Sequence, residues 1–134
     1  MKILSFLLVF LVLMVTILVG CNSNKLNLEE VVLKQLRSFY PEDIYRVDRM
    51  KMLNSAGERK EIVDQLRIKE WLDQVGEVNV TVNPNREEHS GSLFIVTLLE
   101  GEEEKFRLTP TSVNRKKIDT NSELADHMRQ LWDE

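Results

Sequence analysis

The sequence predicts an α+β fold, a mostly antiparallel sheet of about five or six strands with helices packed mainly on one face. Three observations point there. Apolar residues three and four apart recur near the start, middle and end of the region after residue 26, the pattern of amphipathic helices. Between them lie short runs in which apolar and polar residues alternate, as in half-buried strands. Most links between consecutive strand patterns are short, which favours hairpins and antiparallel pairing over crossovers.

The elements follow in chain order. NLEEVVLKQLRSFYP reads as a first helix, with Asn27 as its cap, Glu30 at the third helical position and Pro41 beyond its end. Leu28, Val31, Val32, Leu36 and Phe39 make its apolar stripe. A strand is expected from Ile44 to Leu53. Its alternation slips, since Tyr45 and Val47 share one parity and Met50 and Met52 the other, so a bulge is expected near Asp48 and Arg49. The turn cluster Asn54 to Gly57 then leads into a short strand ending at Val63. Asp64 caps a second helix, QLRIKEWLDQV, with Val63 and Ile68 placed as a hydrophobic staple. Ile68, Trp71, Leu72 and Val75 form its buried stripe, and Gly76 ends it.

In EVNVTVN, Val78, Val80 and Val82 alternate with Asn79, Thr81 and Asn83, which predicts a half-buried strand. The run Leu93 to Leu99 is apolar on both parities and reads as the central strand. A turn over Glu100 to Glu103 precedes a strand whose Phe106 and Leu108 point away from Lys105, Arg107 and Thr109. A further strand in SVNRKKID is poorly patterned. Thr120 and Glu123 have capping-box spacing for a last helix that buries Leu124, Ala125, Met128, Leu131 and Trp132.

The first residues carry a different message. Lys2 precedes an uncharged run, Ile3 to Gly20, which gives way to the polar CNSNKLN. A basic start, an apolar stretch and a small residue at its end are the layout of a secretory signal. The run also reaches the length of the shortest membrane helix, about 17 residues. The single cysteine, Cys21, closes it, so no disulfide can form within the chain. In this position Leu18, Val19, Gly20 and Cys21 resemble the lipobox of bacterial lipoproteins. The resemblance covers the first 21 residues and implies export, a diacylglyceryl thioether on Cys21, cleavage between Gly20 and Cys21, and a further acyl chain on the new amine. Such chains suit stable anchoring, each buried methylene contributing about 0.8 kcal/mol. The alternative reading makes Cys21 an inert residue at the end of an uncleaved membrane helix.

The lipobox divides the chain into a signal peptide, 1–20, a short lipidated tether, 21–26, and one α+β domain, 27–134. The layout of that domain resembles several small lipoprotein domains of uncharacterised function in Gram-positive bacteria, with no motif that narrows the group. The tether, Asn22 to Leu26, extends to roughly 18 Å and keeps the domain close to the bilayer. The net charge of −4 becomes one unit more negative when Lys2 is removed. An acidic chain argues against nucleic acid and against docking on anionic lipid by charge, leaving the acyl chains on Cys21 to hold the membrane.

Several constellations could carry chemistry, and each has a plainer reading. Glu123 and His127 are four apart on the last helix, but zinc needs three or four ligands, and a solvated face explains them. Asn83, Asn85 and Glu87 have calcium-loop spacing, yet Glu88 and Phe94 stand where such a loop needs glycine and a bidentate glutamate. His89, Ser90 and Ser92 lie close together without a nucleophile elbow around them. Glu29 with Glu30, Glu87 with Glu88, and Glu102 to Glu104 read as solvated charge. Arg115, Lys116 and Lys117 are expected to pair across strands with Glu102 to Glu104, or to guard a sheet edge. Trp71 and Trp132 read as core.

No catalytic, cofactor-binding or metal-ligating residue is assigned. Cys21, as the lipidation site, and Gly20, as the residue before the cut, are the only site residues. The expected function is a non-enzymatic binding or accessory module, lipid-anchored on the extracytoplasmic face of the cell membrane, with a membrane or cell-wall protein as partner. The alternatives are a small-ligand or peptide sensor and, third, a hydrolase.

Overall fold

The structure, a computed structural model, describes residues 32–87 and 93–134. The apolar run, Gly20, Cys21, the expected cap Asn27 and the loop residues His89, Ser90 and Ser92 lie outside the described residues. No helix among the described residues is long and apolar enough to cross a membrane.

The fold is α+β. Strand β2 (Arg49–Asn54) turns into β3 (Arg59–Ile62), helix α1 (Gln65–Gly76) follows, and β4 (Asn79–Val82) comes next. Strands β5 (Phe94–Glu100), β6 (Glu103–Thr109), β7 (Ser112–Val113) and β8 (Lys116–Lys117) precede the final helix α2 (Ser122–Asp133). Six strands make one antiparallel sheet in the order β3-β2-β5-β6-β7-β8. The two-faced apolar strand β5 lies inside it between β2 and β6, because only an interior strand can bury both of its sides.

The expected first helix is corrected. Its described part is a strand, β1 (Val32–Gln35), followed by a 3-10 turn over Leu36–Phe39. β1 pairs antiparallel with β4, Val32 opposite Val82 and Lys34 opposite Val80, and Leu36 N–H donates to the Val78 carbonyl at 2.9 Å. The spacing of four between Val32 and Leu36 fits a helix stripe and one face of a strand equally well, so periodicity does not separate the two. Tertiary pairing with β4 decides for the strand.

A second correction concerns the strand expected from Ile44. Ile44–Arg46 is a 3-10 turn capped by Asp43, and β2 begins only at Arg49. The change of parity at Asp48 and Arg49 therefore marks the strand's start. The register shift in the sheet lies elsewhere, between Leu98 and Leu99 against β6. At the last helix the cap is Asn121, whose side chain accepts from Leu124 N–H at 2.9 Å. Thr120, the expected cap, accepts instead from Arg86.

Other local signals behave as the residues dictate. Asn54 Oδ1 accepts from the N–H groups of Ala56 and Glu58, and Gly57 takes φ +80°, so the turn closes on its asparagine and its glycine. Asp64 accepts from Arg67 N–H at 3.0 Å as a helix cap. The expected staple is not closed, since Val63 stays 60 % exposed while Ile68 is buried. Gly76 packs closely on Arg37, since a Cβ there would sit 3.1 Å from Arg37 Nε and press on that side chain. The Arg37 guanidinium in turn pairs with Glu77 at 2.5 Å.

Both helices cover the same face of the large sheet. Ile68, Trp71, Leu72 and Val75 of α1 and Leu124, Met128 and Leu131 of α2 pack with Met50, Met52, Val96, Leu98, Phe106 and Leu108 of the strands. Trp132 is half-buried against this core, with its ring 6.0 Å from Phe94. The indole N–H of Trp71 donates to the His127 carbonyl at 3.1 Å and ties the two helices together. Lys60 and Arg67 donate to the Trp132 and Leu131 carbonyls at 2.8 and 2.9 Å, placing cations on the otherwise unpaired C-terminus of α2. The two sheets meet where Val82 pairs with Ile118.

Candidate functional site

Among the described residues, no helix or second sheet covers the opposite face of β3, β2, β5 and β6. Alternation sends Met50 and Met52 inward and Arg49, Lys51 and Leu53 outward. On β5 the outward residues are Ile95, Thr97 and Leu99, and they form the floor of a groove of about 650 Å³. Thr97 and Leu99 are only 9 % and 4 % exposed although no helix of the described residues lies above them. Register explains this, because Thr97 lies between Lys51 and Arg107, and Leu99 between Arg49 and Glu104. Their long side chains can lay aliphatic stems over the floor and keep charged heads in water.

The charges around the groove are unequally used. Arg49 bridges Glu61 at 3.3 Å and Glu102 at 3.2 Å, and Arg107 pairs with Glu104 at 2.9 Å. Lys51 faces Glu61 across the strands, but the Glu61 carboxylate turns to Arg49. Among the described residues, Lys51 and Arg59 have no ion-pair partner and Thr97 has no side-chain hydrogen bond. Arg59 lies opposite Leu53, so the two unpaired cations are diagonal neighbours on one face. The groove thus offers two free cations and a hydroxyl beside an apolar strip of Leu53 and Ile95.

The constellations singled out in the sequence are distributed differently. Glu102, Glu103 and Glu104 pair with Arg49, Lys105 and Arg107, not in the expected way with the basic run 115–117. The reason is register, since β7 meets β6 at Leu108 and Thr109, the opposite end from the glutamates. Lys116 instead lies over the Phe39 ring at 5.8 Å, and Lys117 reaches the Arg86 carbonyl at 3.4 Å. Arg115 shares with Asn114 a turn in which both φ angles are positive. Asn83 donates its amide to Asp119 at 2.9 Å, which ties the loop after β4 to the segment leading into α2. Among the described residues, no three His, Cys, Asp or Glu side chains gather where they could hold a metal ion.

Two tyrosines carry shifted acidities away from the groove. Burial, and then donation of its hydrogen bond to Glu100 at 2.8 Å, hold the Tyr40 hydroxyl well above its ordinary value. Tyr45, which donates to Asp73 at 2.5 Å, is raised mainly by that bond. Both stay protonated at neutral pH and so offer no general base there.

Sequence reasoning passed over Lys51, Arg59 and Thr97. A signal was present, because a strand apolar on both parities beside one reading RMKML requires a floor on the polar side of its neighbour. Comparison with known proteins finds no matching family model, no matching curated protein and no matching solved structure.

Proposed function

We propose that this chain is a non-enzymatic binding or accessory module, held by acyl chains on Cys21 at the extracytoplasmic face of the cell membrane. The lipobox in register with the end of the apolar run supports the anchor. The uncovered sheet face, with Lys51 and Arg59 unpaired beside an apolar strip, is the observation that carries the binding role. Ten residues, 22–31, separate Cys21 from β1 and allow a reach of about 35 Å at most, so a partner meets the module near the bilayer.

The test is crosslinking in living cells, comparing the native chain with Cys21→Ala and reading the intact mass of the membrane-extracted protein. A lipid-modified mass beginning at Cys21 and a discrete partner captured only by that form are the expected results. An unmodified Cys21 refutes the anchor, and capture of nothing by a lipidated chain refutes the module. A second reading, a small-ligand sensor, draws on the groove volume, which lies within the range of about 300–1,000 Å³ seen for small-molecule sites. Thermal shifts against envelope metabolites separate the two, because a ligand at about 100 times its dissociation constant adds about 2.7 kcal/mol of stability.

A further inference from the structure

The two unpaired cations define the chemistry of what the groove receives. The chain is acidic, with a net charge of −4, yet the outer face carries Arg49, Lys51, Arg59 and Arg107 against Glu61, Glu102 and Glu104. Existing pairs use the three carboxylates and leave the positive excess at Lys51 and Arg59. Diagonal neighbours in a sheet sit about 7–8 Å apart, close enough for both side chains to reach one carboxylate. Like charges held that close repel, so an anion between them relieves a cost built into the face.

The shape of the site narrows the ligand further. Lys51 and Leu53 are two residues apart on β2, a spacing of about 6.6 Å, which is also the repeat of side chains along one side of an extended peptide. A chain running along β2 with an acidic residue two positions from an apolar one sets its carboxylate on Lys51 and Arg59 and its apolar side chain on Leu53 and Ile95. Thr97, next to Lys51 across the sheet, offers a further hydroxyl. A groove running along a strand suits such a segment better than a compact metabolite, and the net negative charge of the chain opposes an anionic bilayer in this place.

We propose that the Lys51–Arg59 corner of the outer sheet face binds an acidic, extended segment of a partner protein, read as acid–any–apolar. This deepens the binding-module reading and rests on it.

The probe is a fluorescent heptapeptide, Ser-Glu-Ser-Leu-Ser-Glu-Ser, titrated by anisotropy into the detergent-solubilised full chain. Binding is expected, falling as salt is raised. The Lys51→Gln/Arg59→Gln chain should bind about tenfold more weakly, through loss of charge-assisted contacts. A Lys34→Gln/Lys69→Gln chain, which loses the same charge elsewhere, should bind like the native protein. Equal binding by both double variants, equal binding of the Gln-for-Glu peptide, or no binding to the native chain overturns the proposal. So does binding of phosphatidylglycerol vesicles through Lys51 and Arg59 in place of the peptide. If the Lys51→Gln/Arg59→Gln chain still captures the partner in cells, the assigned face is wrong and the tethered module stands. If no lipidated chain captures a partner, the module reading itself fails.

Discussion

The two faces of the six-stranded sheet share a backbone and differ in everything their side chains do. On the inner face Met50, Leu98 and Phe106 stand in one row across three strands, each essentially without exposure beneath the helices. One residue further along, on the outer face, Arg49, Leu99 and Glu104 form the next row. There one apolar residue lies between a cation and an anion. The inner row gains from burial and close packing, about 1.5–3 kcal/mol per large side chain. The outer row is held by ion pairs, Arg49 with Glu61 and Glu102, and Glu104 with Arg107, and among the described residues the unpaired charges of that face are Lys51 and Arg59. Stability therefore rests on one parity of these strands, and the recognition we propose rests on the other.

Substitution at adjacent positions tests that division most directly. Leu98→Ala should cost about 3–5 kcal/mol in chemical denaturation, because a rigid inner core leaves a cavity behind. Leu99→Ala should cost about half as much, roughly 1–2 kcal/mol, since water can enter the open groove and side chains can settle over the gap. Equal losses would break the comparison, showing the outer face to be as tightly packed as the inner.

Tyr40 sharpens the inner side. Its ring packs on Phe106 at 5.5 Å, and its hydroxyl donates to Glu100, a side chain 11 % exposed. Tyr40→Phe should cost about 1.5–3 kcal/mol, the value of a bond to a charged acceptor. The raised pKa of Tyr40 also fixes a pH dependence. Above about pH 10 the unfolded chain releases this proton before the folded one does. The folded state then binds more protons, and its stability falls as pH rises. Below that pH the contribution is fully present. Unfolding curves at neutral and strongly alkaline pH should show a smaller alkaline loss in Tyr40→Phe than in the native chain.

Smaller effects are expected at the sheet's other end and on its outer surface. Arg115 sits at φ +70° in the β7–β8 turn, where an L side chain costs about 1 kcal/mol, so Arg115→Gly should stabilise by up to about that amount in thermal melts. Lys51→Gln/Arg59→Gln should leave stability within about 0.5 kcal/mol, as for other exposed sites, while binding falls. A large loss of stability in that variant would make the cations structural and blur the distinction between the faces.

The sequence by itself determined the elements whose signal is local and repeated. Four stripe residues of α1, the alternating valines at and before β4, the opposed parities of β6 and the cap at Asp64 all follow from side-chain periodicity and short-range hydrogen bonding. The two-faced apolarity of Leu93 to Leu99 also placed that strand inside the sheet. Tertiary structure decided the rest. Val32 and Leu36 fit a helix and a strand alike, and only the ladder with β4 selects β1. Whether Glu104 meets Arg107 or Lys117 depends on where β7 joins β6, a register that neither segment encodes alone. The free cations of the groove arise in the same way, since Lys51 and Arg59 become neighbours only through the β2–β3 register and lose Glu61 only because Arg49 reaches it. Periodicity belongs to one segment, but partnership belongs to two, and a non-local pairing is fixed only when the chain has folded.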